Sequence, residues 1–226
     1  SAIVAGVLSV DHRGSMRLMI SQPLASGLIV GIVLGSITEG LLAGGVLQMM
    51  FLGNIHVRGR AAVDFPVGGV VAPAMFILLG RRFGGDPSLA GDILFWSILS
   101  GILMAIVGRY AYSLWRRISS GIATAAFAQV EKGRLRRASL MHLSILLVHF
   151  IYGVAGVLAI LPAGLALLPG VVEATTRLTG GSLSALPVLL PFIGAGSLLR
   201  LYRSRSQVVW FAAGFLLTLM IVTIRS

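Results

Sequence analysis

The chain contains no cysteine. That excludes disulfides, thiolate nucleophiles and Cys-ligated metal, and leaves the redox compartment open. Charge is scarce as well: only 11% of the 226 residues are Asp, Glu, Lys or Arg, against about 25% in an average soluble domain. Acidic residues are scarcest, 7 against 18 basic, for a formal net charge of +11. No Gly-rich phosphate loop ending in Lys-Ser/Thr occurs, and the 4 histidines do not fall at metal-ligand spacing. What is abundant is apolar sequence: 57% hydrophobic residues, with a mean hydropathy of +0.97. Such a chain belongs in a bilayer, where backbone polar groups must be satisfied within helices or buried in protein. Its apolar runs are long and continuous, unlike the alternating strands of about 10 residues that build a barrel. The expected fold class is all-α: a polytopic helical membrane protein with broken or re-entrant helices, one domain over 1–226.

The basic excess would raise nucleic acid as a partner in a soluble protein. Here the cations sit between apolar spans, where they orient the chain and meet anionic lipid. The candidate spans are 2–10, 18–36, 41–53, 65–80, 93–115, 140–161, 183–199 and 208–224. The first lacks its beginning, because the chain starts at Ser1 inside an apolar run with no basic segment ahead of it. Runs 41–53 and 65–80 are short for a crossing of about 20 residues, and Pro66 and Pro73 interrupt the second. Pro187, Pro191, Gly194 and Gly196 make 183–199 a kinked or broken helix. Positive charge over 116–137 marks that stretch as a cytoplasmic loop, with an interfacial helix at 121–130. The segments 81–91 and 162–182 then fall outside, and Arg200, Arg203 and Arg205 inside.

Gly27, Gly31 and Gly35 recur every fourth residue on an apolar run. That spacing lines one helix face and lets backbones touch, within the chain or against another subunit. Downstream, Gln48, Asn54, His56 and Asp64 stand beside or within hydrophobic sequence between the two short runs. Polar groups at membrane depth are costly and usually have a task. Amides and carboxylates suit a hydroxyl-rich ligand, because they accept, and in part donate, hydrogen bonds in fixed directions. The alternative is that they cap broken helix ends or sit at headgroup level. Asp11, His12 and Arg13 read as a solvated helix end, and Glu39 as a cap between apolar segments. His142 and His149 share a helix face without a carboxylate nearby in sequence, which fits packed histidines better than a metal or proton site.

The segment Gln22-Pro23, Leu28 to Gly35, Gly40-Leu41, Ala43-Gly44-Gly45, Leu47-Gln48, Gly53 and Gly59 resembles the IIC subunit of the mannose/fructose/sorbose family of bacterial phosphotransferase-system (PTS) sugar permeases. Asp11 at the close of the first helix, and Leu189-Leu190-Pro191-Phe192-Ile193-Gly194 with Leu198-Leu199, resemble further parts of that family. The resemblance implies a multi-pass protein of the bacterial inner membrane that translocates a hexose together with a IID membrane subunit. Cytosolic IIA and phosphorylated IIB would supply the phosphate, so this chain would be no enzyme and need no cofactor. It also implies a homo-oligomer of heterodimers; the placement of the cations between apolar spans separately argues for no nucleic acid partner. Gln48, Asn54, His56 and Asp64 are the expected sugar contacts.

The chain departs from the family pattern at Gln48-Met49, and at Ala62, Val63 and Asp64, where relatives often carry Pro and Asn. It also ends earlier than many relatives. The sugar therefore does not carry over, and a non-transporting relative acting as a regulatory or assembly protein is the alternative. An ion-coupled transporter would need an embedded carboxylate, for which only Asp64 and Glu39 are placed.

Overall fold

The computed structural model describes residues 1–13, 18–52 and 65–199, together with Val209 and Ala213. Seven α-helices run in order: α1 (Ala2–Arg13), α2 (Pro23–Leu34), α3 (Ile37–Phe51), α4 (Phe65–Arg82), α5 (Ala90–Glu131), α6 (Leu135–Thr179) and α7 (Leu186–Leu199). A 3-10 turn, Ser182–Ala185, precedes α7, and no strand occurs among the described residues. Of the expected sugar contacts only Gln48 is described; Asn54, His56 and Asp64 lie outside the described residues, as does nearly all of 200–226.

α2 and α3 form a tight antiparallel pair. α2 begins with Pro23, whose fixed φ suits a first helical position. It ends at Gly35, where φ is 69°, a left-handed conformation that glycine adopts without Cβ strain. The Gly35 N–H donates to Ile32 O at 3.2 Å and the Ser36 N–H to Gly31 O at 2.7 Å, the paired bonds of a Schellman cap. Ser36 is then the N-cap of α3, and its hydroxyl donates to Glu39 Oε2 at 2.6 Å. Glu39 thus lies in the first turn of α3 and holds the Ser36 hydroxyl, without capping a backbone N–H. The two helices have 12 and 15 residues, or about 18 and 22 Å. Both fall short of a hydrocarbon core of about 30 Å, so the pair has the dimensions of a re-entrant hairpin.

α4 is the central helix and touches α1, α2, α3, α5 and α6. Val67, Val70, Val71, Ala72, Ala74, Met75, Ile77 and Leu79 along it are all buried. Its neighbours approach through small residues. A Cβ on Gly68 would lie 2.6 Å from the Gly101 carbonyl oxygen, and one on Gly101 would lie 2.6 Å from the Ala72 Cβ. Pro73 deprives the Gly69 carbonyl of its helical donor. The buried Ser26 hydroxyl of α2 lies 3.0 Å from that oxygen and donates to it.

The stretch 116–137 is not a loop. α5 continues unbroken for 42 residues to Glu131, and only the turn at 132–134 separates it from α6, which has 45. The reason is that 112–131 contains no proline and is rich in alanine. Charge on its surface decorates the helix without ending it. Likewise 162–182 is not a connecting loop, because α6 runs to Thr179 with Pro162 and Pro169 inside it. Pro169 frees the Leu165 carbonyl, and the Arg82 guanidinium donates to that oxygen at 2.8 Å. α7 runs through Pro191, and the interruption lies ahead of it, at Gly180 (φ 60°) and Gly181 (φ 79°).

Among the described residues two stretches are long and apolar enough to cross a bilayer, Ala90–Ala111 and Leu135–Thr179. The other expected spans that are described prove to be shorter helices.

Candidate functional site

Three elements converge at one end of the hairpin. A Cβ on Gly44 would lie 3.0 Å from Gly27 Cα, and one on Gly69 would lie 3.3 Å from Pro23 Cα. Pro23 also borders Gly44, so the start of α2 is wedged between α3 and α4. Gln48 sits one turn beyond Gly44 on α3, towards its C-terminal end. It is partly buried, and its amide oxygen is enclosed without a hydrogen-bond partner among the described residues. An enclosed carbonyl oxygen left unbonded costs about 1–3 kcal/mol. Such an oxygen is a ready acceptor for a ligand hydroxyl. α3 ends at Phe51 and α4 starts at Phe65, so Asn54, His56 and Asp64 belong to the connection that leaves from the Gln48 end.

The chain just ahead of Pro23 is held in place by Asp11. This is a correction: Asp11 is not a solvated helix end but is 5% exposed. Its Oδ1 accepts the Leu18 N–H at 2.7 Å and its Oδ2 the Ser21 N–H at 3.3 Å. A carboxylate taking two backbone donors is the satisfied form of a buried acid. Ser21 Oγ is also 3.4 Å from His12 Nδ1. Asp11 therefore fixes how the turn ahead of Pro23 enters the bundle.

The glycine ridge packs within the chain. Gly27 and Gly31 face Gly40, Gly44 and Ile37 of α3, whereas Gly35 is the turn. α7 closes the other side of α3, where Gly194 abuts the Met49 and Met50 backbone.

Sequence reasoning missed a second buried carboxylate, Asp92, which is fully enclosed in the first turn of α5. The Thr176 hydroxyl of α6 donates to its Oδ2 at 2.5 Å, and Trp96 Nε1 donates to Thr175 Oγ1 at 3.1 Å. The available signal was an acid at the N-terminal turn of a helix, where the dipole favours it. His149 is buried on α6, and no metal-binding group of three His, Cys, Asp or Glu side chains exists among the described residues.

The family described as "PTS system sorbose-specific IIC component" matches residues 1–224. The mannose-specific EIIC component of Escherichia coli K12 is 22% identical over 215 residues, covering 95% of this chain and 75% of that protein. The fructose permease IIC component of Bacillus subtilis 168 is 23% identical over 238 residues, covering 97% and 82%. A solved structure titled "Structure of membrane protein" superposes with a TM-score of 0.72 at 22% identity, covering 99% of this chain and 88% of that one. The mannose transporter ManYZ, solved in complex with microcin E492, superposes with a TM-score of 0.54 at 21% identity, covering 95% and 81%. These likenesses establish a helical membrane transporter fold, and the permease role of the named IIC relatives is transport and not catalysis. The chain belongs to the sorbose-type IIC family of PTS permease components.

Proposed function

We propose that this chain is the sugar-translocating subunit of a phosphoenolpyruvate-dependent PTS in a bacterial inner membrane. It works beside a IID membrane subunit, within a homo-oligomer of such heterodimers, and delivers a hexose to phosphorylated IIB, itself charged by IIA. The hexose is held by Gln48 together with Asn54, His56 and Asp64. The observation that supports the site is Gln48 Oε1: a partly buried amide whose oxygen has no hydrogen-bond partner among the described residues, at the end of a hairpin too short to cross. Short, glycine- and proline-interrupted segments are where transporters place their substrate sites.

Reconstitution with the IID subunit tests this. Labelled-hexose uptake is expected to require phosphodonor, IIA and IIB, and to fall about tenfold or more in Gln48→Ala and Asp64→Ala, as when a buried polar contact to a sugar hydroxyl is lost. Wild-type uptake that persists in both variants would remove the site assignment. No uptake by the intact wild-type complex would favour the non-transporting alternative.

A further inference from the structure

Where α5 turns into α6, Lys132, Arg134, Arg136 and Arg137 stand within six residues, all exposed, beside the single acid Glu131. Directly behind this turn the two helices part around a hollow of about 190 Å³. Ala123, Ala126 and Phe127 of α5 line it with Ala138, His142 and Ile145 of α6. The facing positions recur every three or four residues, so they form one seam. Three of them are alanine, too small to fill it at ordinary packing density.

The chemistry of the hollow restricts its occupant. Among the described residues its one polar side chain is His142, too little for a sugar, whose hydroxyls need several directed partners. A hydrocarbon chain fits, since an apolar cavity of about 150 Å³ already takes benzene. Outside the seam, Leu140, Leu143 and Leu147 of α6 are 60%, 61% and 56% exposed, so apolar surface continues away from the cationic turn. Cations in one layer and an apolar hollow one or two turns behind them match a phosphate and the acyl chain below it. An acidic protein surface would answer the charge alone and leave the hollow empty.

We propose that the α5–α6 turn is a binding site for one anionic phospholipid. Lys132, Arg134, Arg136 and Arg137 hold its phosphate, and the hollow takes a stretch of its acyl chain.

The test uses the full chain purified in neutral detergent, with bound lipid counted by native mass spectrometry. Phosphatidylglycerol is expected to be retained about tenfold better than phosphatidylcholine, and less well as salt rises. The triple substitution Arg134→Gln, Arg136→Gln, Arg137→Gln should abolish that preference. Ala126→Leu fills the hollow and leaves every charge in place, and should weaken phosphatidylglycerol retention several-fold. Ala138→Leu replaces it if Ala126→Leu does not fold. Equal retention of the two lipids would overturn the proposal. So would wild-type retention in the filled variant, or an acidic polypeptide such as polyglutamate that binds the turn and is not displaced by phosphatidylglycerol.

Discussion

The α2–α3 hairpin with α4 and the α5–α6 pair are both apolar, yet they are packed differently. In the first, backbones touch: a Cβ on Gly27 would come within 2.9 Å of Gly44 Cα. In the second, a Cβ on Gly121 would meet nothing within 4 Å. The apolar window of α5 is 44% buried, and that of α6 only 22%. Hydropathy therefore does not decide which part of this chain is packed. Residue size does, because lipid is as apolar as leucine and helices associate where small residues let them close in.

The comparison breaks most sharply at its glycines. Gly27→Ala is expected to destabilise the protein by about 1–3 kcal/mol, the usual effect of overpacking. Gly121→Ala should be neutral or stabilising by up to about 1 kcal/mol, since it only removes glycine's unfavourable helix propensity. Thermal unfolding in detergent distinguishes them, and equal loss in both would refute the contrast. Next comes Ser26→Ala, which leaves the Gly69 carbonyl freed by Pro73 without its donor inside the core. A loss of about 1–3 kcal/mol is expected, and the Ser26→Ala/Pro73→Ala double variant should recover part of it in a double-mutant cycle. Arg82→Met probes the corresponding repair on α6, where the Arg82 guanidinium serves the Leu165 carbonyl freed by Pro169. That bond is exposed, so the expected cost is lower, about 0.5–1 kcal/mol.

The smallest effect lies in the exposed turn between α4 and α5, outside the membrane-spanning helices. The Ser88 hydroxyl, and then its backbone N–H, donate to Asp86 and hold its carboxyl below the ordinary 3.8. A folded-state value that is depressed stabilises the fold above the unfolded value, and the benefit is lost as pH falls through the folded one. Ser88→Ala should therefore lower the unfolding midpoint slightly at neutral pH, with the difference from wild type vanishing well below pH 3.8. A difference that grows on acidification would reverse the sign of this account.

Much of the architecture is legible in the sequence. Continuous apolar runs, the shortness of 41–53, and the glycines at every fourth position lead directly to helices, a short hairpin and close backbone packing. The long helices α5 and α6 were harder to read, because cations at 116–137 and prolines at 162 and 169 look like boundaries. They are not boundaries here: the cations lie on the helix surface, and Arg82 from a distant helix satisfies the Leu165 carbonyl that Pro169 frees. Asp11 was misjudged for a related reason. Beside His12 and Arg13 it looks solvated, and what buries it is the return of the chain seven to ten residues later. Gln48 could be picked out as a polar side chain at the end of a short apolar run. That its oxygen is enclosed and unbonded among the described residues depends on the packing around α3.

α4 has a consequence for how the molecule is made. It is buried against helices on both sides of it in the chain, including α5 and α6. Synthesis runs from the N-terminus, so α4 is made before either exists. Until they arrive, Gly68 and Ala72 lack the α5 neighbours that cover them, and the Leu165 carbonyl that Arg82 will satisfy has not been made. The first third of the chain is therefore an incomplete bundle on its own, and the late helices complete it.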